Sequence, residues 1–158
     1  MNLSKLVTLI ICIALPLIIG SLSGIANIGG LNDWYIELKK PSFNPPGYLF
    51  GPVWTILYLL MGISLYLVWI SPAGKIRQES LVIFGIQMML NFAWSFIFFY
   101  FRQPGWALVD IVALWISIII MIFFFYRVNR VAAMIQIPYL LWVSFATLLN
   151  ASIWVLNK

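Results

Sequence analysis

Histidine is missing from this chain, cysteine occurs once, at Cys12, and only four acidic residues stand against nine lysines and arginines. With no histidine, no cysteine cluster and no paired carboxylate inside an apolar run, the residue set for a dedicated metal site or for histidine-based nucleophilic catalysis is not there. A lone thiol closes no disulfide within the chain, and Cys12, inside the first apolar run, reads as a small apolar filler. Neither a Walker loop nor a glycine-rich dinucleotide fingerprint occurs. Charge of either sign is scarce: 8% of residues are charged and 64% hydrophobic, with a mean hydropathy of +1.05. A soluble domain carries about a quarter charged residues, so that class is excluded. The net charge of +5 is spread singly or in pairs between apolar runs, a placement that suits lipid headgroups and not nucleic acid.

What the chain does have is apolar length. A spanning helix needs roughly 20 apolar residues, and the charged positions divide the 158 residues into about five such lengths. The expectation is an all-α integral membrane protein, a single five-transmembrane-helix bundle over residues 1–158. Its helices fall at about 6–26, 48–70, 81–101, 105–126 and 131–156, with a long lid loop at 27–46. Lys5 followed by an apolar run imitates a signal peptide, but the run passes Pro16 and reaches Asn27 without charge, so it reads as an uncleaved first span. Asn27, Gly29 and Gly30 are expected to end it. Within it Gly20 and Gly24 form a small-xxx-small pair that lets a neighbouring helix approach. Pro104 sits at a favoured helix start and Pro138 is expected to kink the fifth span. Lys5, Lys75, Arg77, Arg127 and Arg130 fall on one side of the membrane and Lys39, Lys40, Arg102 and Lys158 on the other, a bias that leans the N-terminus toward the cytoplasm.

The chemistry concentrates between Trp34 and Tyr58, where a polar, aromatic connection passes through Pro41, Pro45, Pro46 and Pro52 into the second span. Prolines fix φ and remove donors, which suits a rigid cover over a bundle; an interfacial aromatic belt is the plainer reading of the same residues. A helical turn is expected at about Asn32 to Leu38, capped by Asn32 or Asp33. Helical spacing then places Trp54, Leu57, Tyr58, Met61 and Leu65 on one face of the second span, and Gln87, Asn91, Trp94, Ser95 and Phe98 on one face of the third. Trp142, Phe145, Ala146, Leu149, Asn150 and Ile153 share a stripe of the fifth. Such faces serve helix packing as readily as a cavity. Asp110, the only acid inside an apolar run, is costly at bilayer depth and is expected to face inward, to gain from the helix N-terminus or to pair with Arg102. Eight tryptophans supply flat apolar surface with one donor each, which fits a large planar ligand.

The order Trp34, Tyr35, Leu38, Lys40, Pro41, Pro45, Pro46, Phe50, Pro52, Val53, Trp54, Leu57, Tyr58 resembles the signature of the TspO/MBR family, the tryptophan-rich sensory or translocator proteins. The likeness continues through Asn91 and Trp94, Gly105 to Asp110, and Pro138 to Asn150, covering nearly the whole chain. The resemblance implies a five-helix bundle, frequent homodimers, a bacterial cell membrane as its setting, and a cavity under the first loop. That cavity would bind protoporphyrin IX, heme-like tetrapyrroles or another planar hydrophobic molecule, including benzodiazepine-site ligands, for sensing, sequestration or transfer, with no cofactor required. Trp34, Tyr35 and Pro45 would belong to the lid; Trp54, Asn91, Trp94, Trp142, Phe145 and Ala146 would line the cavity. Two other activities stay open: light- and oxygen-dependent porphyrin breakdown, with Trp54 and Trp142 as the catalytic candidates, and transport of small hydrophobic molecules. The chain departs from the family at Phe43, where many relatives carry tryptophan, in its tail, which lacks the tyrosine of the sterol-recognition pattern, and at Gly85, which Met89 follows in place of a second glycine.

Overall fold

The computed structural model describes residues 3–31 and 34–158, with the backbone alone for 26–31. Every regular element among them is helical: α1 (Leu3–Leu31), the short α2 (Trp34–Glu37), α3 (Phe50–Trp69), α4 (Lys75–Ser95), α5 (Pro104–Val128), α6 (Arg130–Ile135) and α7 (Ile137–Leu156). A 3-10 turn at Gly47–Leu49 leads into α3, and a π-helical turn at Phe96–Tyr100 extends α4. Five stretches are long and apolar enough to cross a membrane. A bilayer offers backbone groups no water, so closed helices are what such sequence must form. The chain is a multi-pass membrane protein.

Several boundaries differ from those the sequence suggests. The stretch apolar enough to span ends at Ile25, as expected, but the helix does not stop there: α1 runs on through Gly29 and Gly30 to Leu31, because glycine weakens a helix without ending it unless it adopts the left-handed cap conformation. The expected lid loop is therefore shorter by its first five residues, and the cap proposed at Asn32 or Asp33 lies outside the described residues. The third span begins at Lys75 instead of Leu81. Its polar first turns remain helical with Lys75 and Glu79 paired at 3.9 Å one turn apart, an arrangement that stabilises an exposed helix end. The fifth span is two helices. Pro138 lacks the N–H that would continue the ladder, and the chain breaks at Gln136 between α6 and α7.

The bundle closes as a ring in which α1 lies between α3 and α4, α4 packs on α5, α5 on α7, and α6 returns to α3. Side chains at the centre are fully buried, among them Met61, Ile111, Ile118, Met121, Phe125 and Tyr139. The outer faces are apolar as well: Ile10, Ile18, Leu22 and Ile25 on α1 and Ile56 on α3 are exposed where acyl chains lie. In lipid such residues gain nothing by turning inward, so helix association rests on close packing and internal hydrogen bonds. Gly62 is the point of closest approach to another helix's backbone: a Cβ there would stand 2.5 Å from Ile13 Cα and 2.9 Å from the Cys12 carbonyl. About two turns of α1 further on, Gly20 leaves room for the Tyr58 ring.

Gly62→Ala should therefore force α1 and α3 apart and cost about 1–3 kcal/mol, the range for overpacking, read as a lowered thermal midpoint in detergent. Gly85→Ala, where a Cβ meets nothing within 4 Å, should leave that midpoint unchanged or raise it.

Candidate functional site

Beneath the connection between α1 and α3 the helices enclose a cavity of about 390 Å³, inside the range of roughly 300–1,000 Å³ usual for ligand pockets. Three of the spanning helices contribute through an inward stripe. From α3 come Trp54 and Tyr58; from α4 and its π-helical extension, Asn91, Trp94, Ser95 and Phe98; from α7, Trp142, Ala146, Leu149, Asn150 and Ile153. Tyr35 of α2 closes the top. No described residue of this lining carries a formal charge, so the cavity suits the neutral body of a ligand.

Its floor is a hydrogen-bonded chain. Tyr58 Oη donates to Asn91 Oδ1 at 2.7 Å, Asn91 Nδ2 donates to Tyr139 Oη at 3.1 Å, and Tyr139 Oη donates to Gln87 Oε1 at 2.9 Å. Gln87 and Asn91 stand one turn apart on α4, and Tyr139 reaches both because α7 restarts just before it. Amides and phenols buried in this way must find partners inside the protein. On the opposite wall Trp94 Nε1 donates to Asn150 Oδ1 at 3.0 Å, while Asn150 Nδ2 donates to the Pro104 carbonyl at 2.8 Å. One wall donor is different: Trp142 Nε1 is out of solvent and has no hydrogen-bond partner in the protein.

The cover is tied down at several points. Trp34 and Tyr35 meet Phe98 edge-on, with centroids at 5.8 and 6.2 Å. Tyr35 Oη donates to Asn44 Oδ1 at 3.1 Å, across a turn closed by Asn44 N–H to the Pro41 carbonyl at 3.0 Å. Burial raises the Tyr35 phenol above its ordinary pKa, an effect the Asn44 hydrogen bond opposes, so the hydroxyl stays a donor at neutral pH. Lys40 Nζ donates to the Ile36 and Leu38 carbonyls and stands 4.6 Å from the centre of the Tyr35 ring. At the far end the Asn157 side chain clasps the Lys39 backbone, accepting from its N–H at 3.0 Å and donating to its carbonyl at 2.9 Å.

Of the residues singled out from sequence, Tyr35, Trp54, Asn91, Trp94, Trp142 and Ala146 meet around the cavity. Three stand one layer behind it. Trp34 braces Phe98; Phe145 contacts Trp142 at 5.6 Å and Phe43 of the cover at 6.3 Å; the Pro45 carbonyl accepts from Asn44 Nδ2 and belongs to the cover's own turn. Asp110 forms no ion pair with Arg102, the only salt bridge among the described residues being that of Lys75 with Glu79. The sequence reading missed the wall made by α1, where Leu17, Gly20, Ser21, Ser23 and Gly24 line the cavity. The four-residue spacing of Gly20 and Gly24 was the available signal, and it speaks for close approach without saying to what.

A helical membrane protein with an aromatic, uncharged cavity under a proline-stiffened cover is the class these features define. Its particular family is settled by comparison: residues 12–155 match the TspO/MBR family model, and the chain belongs to the TspO/MBR family. The tryptophan-rich protein TspO of Chlorobaculum tepidum is 43% identical over 97% of this chain and 98% of its own length. That of Archaeoglobus fulgidus is 40% identical over 99% of both. The human translocator protein is 42% identical over 77% of this chain and 73% of its own.

Asn91→Leu should strand the Tyr58 and Tyr139 hydroxyls. A loss of about 1–3 kcal/mol is expected for buried groups left unpaired, seen as a lower thermal midpoint, with Tyr58→Phe costing less because it removes its own polar group as well.

Proposed function

We propose that this protein is a membrane receptor or sensor that holds a planar, largely apolar molecule of the tetrapyrrole type, protoporphyrin IX being the representative, in the cavity between the cover and α3, α4 and α7. The observation that carries the reading is the convergence of Trp54, Trp94, Phe98 and Trp142 on one largely apolar cavity. A flat macrocycle fills such a slot by stacking and apolar burial. Names such as tryptophan-rich sensory protein and translocator protein among the relatives agree with a receptor or sensor role.

In detergent, protoporphyrin IX should quench the intrinsic tryptophan emission saturably. Trp142→Phe should weaken binding about fivefold through the lost ring surface, the equivalent of roughly 1 kcal/mol. An unchanged affinity in that variant would count against this cavity.

A photochemical activity is favoured by one contact: Trp54 stacks on Tyr58 at 5.5 Å and 28°, and Tyr58 heads the hydrogen-bonded chain to Tyr139. An excited porphyrin can draw an electron from such a pair and pass it to molecular oxygen. The oxidised pair then takes an electron back from the porphyrin, and the superoxide formed adds to the resulting porphyrin radical cation, so that the ring is oxidised and the protein restored. Under illumination in air the porphyrin absorption band should decay faster with the parent protein than with the Trp54→Phe, Trp142→Phe double variant. Equal decay would reduce the effect to ordinary photobleaching.

A further inference from the structure

We infer that the cavity opens sideways into the bilayer through a slit between α1 and α3, and that its ligand enters and leaves through the lipid phase, not past the cover. The inference rests on the ligand-binding reading above. The two helices touch most tightly at Gly62 against Ile13, and again where the Tyr58 ring lies over Gly20. Toward the covered end they part: a Cβ at Gly24 or at Gly51 meets no described atom within 4 Å. Gly47, Gly51 and Thr55 on one side and Ser21 and Gly24 on the other all line the cavity.

Four of those lining residues, Ser21, Gly47, Gly51 and Thr55, are at the same time exposed, so among the described residues nothing closes the wall at that point. The exposed apolar side chains Ile18, Leu22, Ile25 and Ile56 flank the breach, so it faces acyl chains and not water. Its rim asks nothing polar of the lipid. Ser21 Oγ donates to the Leu17 carbonyl at 2.8 Å and Thr55 Oγ1 to the Gly51 carbonyl at 2.9 Å, which leaves no unmet hydroxyl in the hydrocarbon. Over the top, by contrast, an entering molecule would have to displace Tyr35 from Phe98, Phe99 and Asn44 and release the Asn157 clasp. A hydrophobic molecule already concentrated in the membrane meets the lower barrier at the slit.

The test measures association and dissociation rates of protoporphyrin IX by stopped-flow tryptophan quenching with the full chain in lipid vesicles. Gly51→Phe and, independently, Thr55→Phe narrow the slit and should slow both rates about tenfold, a change large against the spread usual within one binding site. Ile56→Phe, on the lipid-facing side beside the slit, should leave both rates as they are. Asn157→Ala frees the cover and should not speed association. Unchanged rates in both rim variants, or faster association in Asn157→Ala, would overturn lateral entry while leaving the cavity as the binding site. Faster dissociation with unchanged association in the rim variants would overturn it too, since it reports a damaged cavity and not a blocked path. No saturable quenching by the parent protein would overturn the ligand reading itself, and the slit with it.

Discussion

Asn91 occupies the position on which the rest of the bundle depends. Its amide joins Tyr58 of α3 to Tyr139 of α7 from its own place on α4, at a depth where no water competes for either bond. In an aqueous core such a link would be modest. Between helices that have no hydrophobic reason to separate from lipid, it is one of the few interactions that distinguish one rotation of a helix from another. With α3, α4 and α7 set by it, the indoles of Trp54, Trp94 and Trp142 turn to a common space and not outward.

The remaining two walls are built on different principles. Along α1 there is almost nothing polar to direct packing, and the helix is positioned by the absence of side chains, at Gly62 on its partner and at Gly20 on itself. That contact brings α1 against α3 at one end and lets the two diverge at the other, so the same geometry that makes the bundle close also leaves it open beside Gly51. The cover depends on rigidity. Prolines limit its conformations, and its attachments to Phe98, Phe145 and Asn157 hold it across the ends of α4 and α7.

Much of this could be read along the chain. Five apolar lengths cut by charged residues leave no alternative to five spanning helices, and helical spacing puts Trp54 beside Tyr58, Asn91 beside Trp94 and Trp142 beside Ala146. Spacing was less informative where a face is broad. Trp142, Phe145 and Ala146 share a stripe, yet Phe145 turns to the cover while the other two meet the cavity, because the rotation of α7 is decided by Tyr139 and its partners on α4. Glycine also misled: Gly29 and Gly30 look like a stop, but a glycine ends a helix only where the backbone turns left-handed, and here it does not.

By itself the sequence determined the solvent in which this protein folds, the number of its helices and which residues each helix could turn inward, since those follow from hydropathy and a 3.6-residue period. The tertiary structure alone decided which inward faces meet, that α1 supplies a wall, and that Trp142 is left with an unused donor while Trp94 is satisfied by Asn150. Helical period is a property of a single segment, whereas a cavity is the space left between segments, and its shape depends on rotations and close approaches that no one segment encodes.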